Sequence, residues 1–175
     1  MPENSEQFEN ARACTNERYR QARDYACLLL KFRPRSISEF KERLVKHGFS
    51  EEITNAVSDD FKRRGLLDDK KFAKIWVQDR LQLKPMGKLR LRLELEAKGV
   101  DKTDIEDAFG AAAEINEYQA AIDLARKRLK QVGSLNKIAA KRRLTGFLQR
   151  RGFSYEVIRK ALSHISADPT LTRGV

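Results

Sequence analysis

The chain has 175 residues, of which 35% are charged and 41% hydrophobic, enough apolar material for small cores but not for one thick buried sheet. The 36 Lys and Arg residues outnumber the 25 Asp and Glu residues, and the formal net charge of +11 favours a polyanionic partner such as nucleic acid. No stretch approaches the roughly 18 to 20 apolar residues of a membrane span, and the two cysteines form no disulfide framework, so a cytoplasmic protein is expected. A monomer is also expected.

The N-terminal part of the chain predicts a leader followed by a first helix. Residues 1–17 are polar and mildly acidic, unlike a signal or transit peptide, and are expected to be a disordered leader. A helix is predicted from Arg18 up to Pro34, which ends it. Ser36 and Glu39 then predict a capping box for the next helix.

Three glycine turns divide the rest of the chain into similar segments. Gly48, Gly99 and Gly152 are 51 and 53 residues apart, a period typical of helical arrays. Each glycine is expected at the left-handed position that ends a helix, after cations that face the negative end of the helix dipole. The next helix is then capped by Ser50, Asp101 or Ser154. Apolar residues eight and four positions before each glycine fall on one helical face: Phe40, Leu44, Leu91, Leu95, Leu144 and Leu148.

The second segment has the same organisation as the first. Asp68 is predicted to cap a helix that ends at Pro85, 51 residues after Pro34. Trp76 occupies the position of Tyr25 in the first segment, so both are expected to pack in a core. Residues 89–95 alternate between apolar and charged like a strand, but they contain only Leu, Arg and Glu and are predicted as helix.

The third segment contains a helix from about residue 118 to 132 and a break at Gly133-Ser134. The predicted fold is therefore all-α, with three tandem three-helix repeats that form an elongated, curved array. The predicted boundaries are 18–66, 67–115 and 116–165, with residues 166–175 as a tail. Neighbouring repeats are expected to support one another, because units of about 50 residues have small cores.

No combination of residues predicts catalysis. Asp68 and Asp69 are adjacent on a helix and do not face one another, and Asp68 is explained as a cap. The only two histidines, His47 and His164, and the two cysteines lack the spacing of a zinc site. The sequence also lacks a phosphate loop and a nucleophile elbow. A protein that binds without catalysis, cofactor or metal is therefore predicted.

The positive charge is concentrated in two runs. Residues 124–155 contain no acidic residue, whereas a solvated helical face normally mixes both signs. We therefore predict that these runs bind a polyanion. The larger run comprises Arg126, Lys127, Arg128, Lys130, Lys137, Lys141, Arg142, Arg143, Arg150 and Arg151. The smaller run comprises Arg80, Lys84, Lys88, Arg90 and Arg92.

Several blocks resemble the RecX family of bacterial recombination regulators. The block at residues 65–73, Gly-Leu-Leu-Asp-Asp-Lys-Lys-Phe-Ala, is similar to the most recognisable block of that family. It is followed, as in the family, by Trp76, Arg80, Lys84-Pro85-Met86-Gly87 and residues 95–100. Residues 33–49 resemble the first repeat of the family, and residues 147–153 resemble its C-terminal repeat. The resemblance covers about residues 18 to 165.

The resemblance implies a regulator, usually an inhibitor, of the RecA recombinase. Family members bind the RecA filament on single-stranded DNA, lie along its helical groove, and impede strand exchange, ATP hydrolysis and filament growth. The family has no catalytic residues to carry over. A basic helical protein that binds DNA or RNA directly, such as a helix-turn-helix regulator, is the alternative. The acidic residues that follow the glycine turns, such as Glu51 and Asp104, weigh against it.

Overall fold

A computed structural model describes residues 3–83, 85–132 and 137–167, with side chains for residues 16–83, 85–110, 117–131 and 138–167. Over these residues the chain forms nine α-helices and no strand, which confirms the all-α prediction. Two compact units are present: one comprises Met1–Phe72 and Lys98–Val100, the other Ala73–Ala97 and Asp101–Val175. The helices are α1 (Glu3–Phe32), α2 (Ile37–Lys46), α3 (Glu51–Arg63), α4 (Asp69–Leu83), α5 (Lys88–Glu96), α6 (Lys102–Ala108), α7 (Ala111–Val132), α8 (Lys137–Arg150) and α9 (Tyr155–Ala167).

Helix α1 is longer than the sequence predicts. It begins at Glu3, so it includes most of residues 1–17, which were predicted as a disordered leader. Residues 3–17 contain no proline or glycine and several Glu, Gln, Ala and Arg residues, which favour helix. The segment therefore contains no residue that would end a helix before Arg18. The predicted break at Gly133-Ser134 lies outside the described residues.

The first unit is built around Phe40 and Leu44 of α2, whose side chains are fully buried. Phe40 packs against Phe61 of α3, with ring centroids 5.5 Å apart. Ser36 caps α2 by accepting the backbone N–H of Glu39 at 3.1 Å, as predicted. The predicted return contact of the capping box is absent among the described residues, because the Glu39 carboxylate pairs with Arg33, Arg35 and Lys98.

The second unit has a core between α7, α8 and α9. Leu144 and Leu148 of α8 are buried in it together with Ile158 of α9. Leu91 and Leu95 of α5 are also fully buried, so the alternating segment is a helix, as predicted. Asp101 caps α6 by accepting the N–H of Thr103 at 2.9 Å. The fixed register of Leu144 and Leu148 directs the polar side of α8 away from this core.

A tight joint at a helix start recurs in both units. In the second unit, the N–H of Gly87 at the start of α5 donates to the carbonyl of Arg151 at 2.9 Å. A Cβ on Gly87 would overlap the Gly152 carbonyl, and one on Gly152 would overlap the backbone of Arg90. In the first unit, the Ser36 hydroxyl at the start of α2 donates to the carbonyl of Lys98 at 2.7 Å. We call these contacts the glycine joints, because each joins a helix start to the residue before a glycine with positive φ.

Candidate nucleic-acid interface

The larger basic run lies mainly on the exposed side of α8 and on α7. The burial of Leu144 and Leu148 leaves Lys141, Arg142 and Arg143 exposed to solvent. A groove of about 1150 Å³ follows α8, and Arg128 of α7 also lines it. We call it the α7–α8 groove. Its five cations are Arg128, Lys141, Arg142, Arg143 and Arg150, and its apolar lining is Ile138, Ala139, Gly146 and Phe147.

The cations of this groove have no carboxylate among the described residues that line it. Among the described side chains, none of its five cations forms an ion pair. An acidic partner is also absent among the described side chains for Arg151, Lys127 and Lys130. Arg126, the remaining cation of this part of α7, is half-buried. The groove therefore combines a concentrated positive field with an apolar surface, a combination typical of sites for flexible nucleic acid.

Phe147 is the one aromatic side chain among the described residues that line the groove. The guanidinium carbons of Arg128 and Arg151 each lie 5.5 Å from the centroid of its ring. Arg151 also approaches the Pro85 carbonyl at 3.5 Å. A smaller cavity of about 270 Å³ shares Phe147 and Arg150 with the groove and reaches Arg90 of α5. The basic surface therefore continues from α8 to the start of α5.

The smaller basic run behaves differently from the larger one. Arg80 pairs with Glu94 at 3.3 Å and lies over the Trp76 ring, and Arg92 pairs with Glu106 at 2.6 Å. Both cations are thus neutralised by acidic residues 14 positions away in sequence. Trp76 is half-buried beneath Arg80, and its neighbour Val77 occupies the core.

The other described members of the smaller run, Lys88 and Arg90, have different surroundings from each other. Arg90 contacts Glu94 more loosely, at 3.6 Å, and lines the smaller cavity. The Lys88 ammonium lies 5.9 Å from the centroid of the Phe109 ring. The structure thus brings Arg90, alone among the described members of this run, beside the larger run. Lys84 and the side chain of Lys137 lie outside the described residues.

Asp68 and Asp101 have structural roles at the starts of helices. The backbone N–H of Lys71 holds the pKa of Asp68 below its usual value, and that of Thr103 does the same for Asp101. Both carboxylates cap helices, and the neighbouring Asp69 carboxylate accepts the backbone N–H of Ile37 at 2.9 Å. In the described parts of the chain, no three His, Cys, Asp or Glu side chains are placed to bind a metal ion. No helix there is long and apolar enough to cross a membrane.

Comparison with known proteins gives consistent matches. Residues 115–162 match the model of the third three-helix domain of RecX, and residues 68–108 match that of the second. The chain is 36% identical over 159 residues to the regulatory protein RecX of Amycolatopsis mediterranei (strain U-32), covering 89% of this chain and 91% of that protein. It is 37% identical over 143 residues to the regulatory protein RecX of Mycobacterium tuberculosis (strain ATCC 25618 / H37Rv), covering 79% and 82%. The crystal structure of RecX from Lactobacillus salivarius has the same fold, with a TM-score of 0.80 at 19% identity over 87% of this chain and 99% of that one.

Proposed function

The chain belongs to the RecX family, and from this premise we propose that it regulates the RecA recombinase by binding RecA filaments on single-stranded DNA. In this proposal it inhibits or modulates strand exchange, ATP hydrolysis and filament growth. It acts as a monomer, without a cofactor and without catalysing a reaction of its own. Its effect comes from occupying the filament.

The observation that carries this proposal is the α7–α8 groove. Its five cations have no carboxylate partner among the described residues, so a bound polyanion would not have to displace existing ion pairs. Each phosphate that a cation neutralises releases condensed counterions, which drives binding at low salt. A filament that carries DNA presents such phosphates beside protein. The groove is therefore the proposed contact to the DNA of the filament.

Direct binding to DNA through a helix-turn-helix is the competing function, and the helices after the glycine turns disfavour it. Helix α3 begins with Glu51 and Glu52, and α6 and α9 carry Asp104 and Glu156 in their first turns. A recognition helix places its first residues against bases in the major groove. Carboxylates at that end of the helix would be repelled by the DNA phosphates. Four of the five cations of the α7–α8 groove instead lie on α8, and the fifth is Arg128 of α7.

The proposal is tested by measuring the ATPase activity of RecA on single-stranded DNA with the chain at substoichiometric amounts. We expect slower ATP hydrolysis and co-sedimentation of the chain with RecA–DNA filaments. An unchanged ATPase rate, together with equal DNA affinity with and without RecA, would overturn the proposal. That outcome would leave direct nucleic-acid binding as the better account of the basic surface.

The role of the groove is tested by neutralising Lys141, Arg142 and Arg143 to Gln. We expect weaker co-sedimentation and a salt dependence of binding that is flatter by about 2, at roughly 0.7 per phosphate contact on a single strand. The matched control neutralises three exposed cations of the first unit and so removes the same net charge: Arg20→Gln, Lys46→Gln and Arg63→Gln. Equal losses in both triple variants would show that net charge, and not the groove, determines binding.

A further inference from the structure

We propose that Phe147 is a positioning residue of the α7–α8 groove, whose ring holds Arg128 and Arg151 in place to bind phosphates of a single strand. This inference rests on the proposed function, because it assumes that the groove binds nucleic acid. It adds a role for an uncharged side chain that charge counting does not identify. The ring would act through the two arginines and not as a direct contact to phosphate.

The position of the ring is fixed by the core of the second unit. Leu144 and Leu148, three residues before and one after Phe147, are both buried, so this part of α8 cannot rotate without exposing them. Phe147 itself is half-buried and packs against the same core. Its ring therefore has little freedom, in contrast to the long side chains around it. A rigid ring beside mobile cations is suited to restraining them.

The two arginines have few other restraints among the described residues. Arg128 donates to the Gln131 side chain at 2.9 Å, and Arg151 approaches the Pro85 carbonyl at 3.5 Å. Neither has a carboxylate partner there. A ring face attracts a guanidinium without neutralising its charge, and leaves its N–H donors available for phosphate oxygens. An arginine that is already held loses less side-chain entropy when it binds.

Phe147 lies where the α7–α8 groove and the smaller cavity meet, so one bound strand could contact both arginines. Phe147 and Arg150 line both the α7–α8 groove and the smaller cavity. Arg128 lines the groove, whereas Arg151 lines the smaller cavity. A strand that follows both would pass the ring, meeting Arg128 in the groove and Arg151 in the smaller cavity. The alternative is that Phe147 stacks on a base, but a base would have to displace guanidinium groups from the ring.

The test is the affinity of the purified full-length chain for a fluorescent oligothymidylate, measured by anisotropy at two salt concentrations. We expect Phe147→Leu, which keeps the charge, to weaken binding about three- to tenfold through loss of the two cation–π contacts. Phe147→Tyr, which keeps a ring, should restore the wild-type affinity. Phe32→Leu is the matched control, because Phe32 is 81% exposed on α1 of the first unit. If Phe147→Leu does not fold, Phe147→Met is measured in its place.

A double-mutant cycle separates positioning from base stacking. In a background of Arg128→Gln and Arg151→Gln, Phe147→Leu should have little further effect if the ring acts through the arginines. An undiminished effect in that background would overturn the proposal in favour of stacking. If the wild type binds and Phe147→Leu binds equally well, the positioning role is wrong while the proposed function stands. A wild type that does not bind the oligonucleotide overturns both the DNA contact and this inference.

Discussion

A methyl group added to Gly87 should destabilise the second unit, although Gly87 has an ordinary negative φ of −75°. Alanine is sterically free to adopt that φ, so backbone strain contributes nothing. The added Cβ would instead overlap the carbonyl of Gly152 in the glycine joint. Overpacking of this kind costs about 1–3 kcal/mol. Loss of the hydrogen bond to the Arg151 carbonyl adds about 0.5–1.5 kcal/mol, so a total of about 1.5–4.5 kcal/mol is expected.

Two other glycines provide the comparison. Gly48 has a φ of +98° and open space where a Cβ would lie, so Gly48→Ala should cost only the left-handed backbone term, about 1–2 kcal/mol. Gly152 has a φ of +82° and is also crowded by Arg90, so Gly152→Ala should combine both effects at about 2–5 kcal/mol. The three substitutions thus isolate the overlap, the backbone strain, and their combination.

The assay is urea unfolding followed by far-UV circular dichroism, with calorimetry to assign each loss to a unit. The double variant of Gly87 and Gly152 should lose less than the sum of its single variants, because the first substitution already separates the two backbones. A loss below about 0.5 kcal/mol for Gly87→Ala would refute the reasoning, since that is the range of a neutral surface change. Additive losses in the double variant would show that the two glycines act independently.

Two further predictions concern carboxylates with little exposure, the half-buried Glu39 and the buried Glu117. Burial opposes the charge of Glu39, but its cation partners, Arg33 foremost, hold its pKa below the usual 4.5. Glu39→Gln should therefore cost about 1–2 kcal/mol at neutral pH, and its difference from wild type in urea unfolding should disappear as pH falls through that lowered pKa. Glu117, which is 5% exposed, accepts the N–H of Lys88 at 2.8 Å in the first turn of α5. Glu117→Ala, which removes the acceptor, should cost about 0.5–2 kcal/mol in the same assay and speed amide exchange at Lys88, and unchanged exchange would contradict this capping role.

Local features of the sequence were sufficient to predict most helix boundaries, although α7 begins at Ala111 and not near residue 118. Caps at Ser36 and Asp101 and the positive φ of Gly48 depend on neighbours within a few residues, so the sequence contains the relevant information. The long first helix was missed because polarity was interpreted as disorder, although the segment has no residue that ends a helix. Polarity predicts exposure, and helix propensity is a separate property.

The candidate site was less predictable, because it depends on which helices meet. The pairing of Arg80 with Glu94 joins residues on consecutive helices, and a count of charges along the chain treats them as unrelated. Similarly, Arg90 lies beside the larger basic run because Gly87 and Gly152 allow two backbones to approach closely. One signal was available in the sequence, since Gly87 stands where the first repeat has the capping residue Ser36. A glycine in place of a capping side chain permits a close approach of two backbones.

Helix α5 depends on the third repeat for its own start. It has nine residues, its N-cap residue Gly87 has no side chain to cap it, and Lys88 in its first turn opposes the helix dipole. The polar groups that its N-terminus requires come from the Arg151 carbonyl and the Glu117 carboxylate, both far along the chain. Cooperative folding in this protein therefore crosses the boundary between sequence repeats. The middle helix of the second repeat should order only when the helices of the third are in place, so the folding unit and the repeated unit are different segments of the chain.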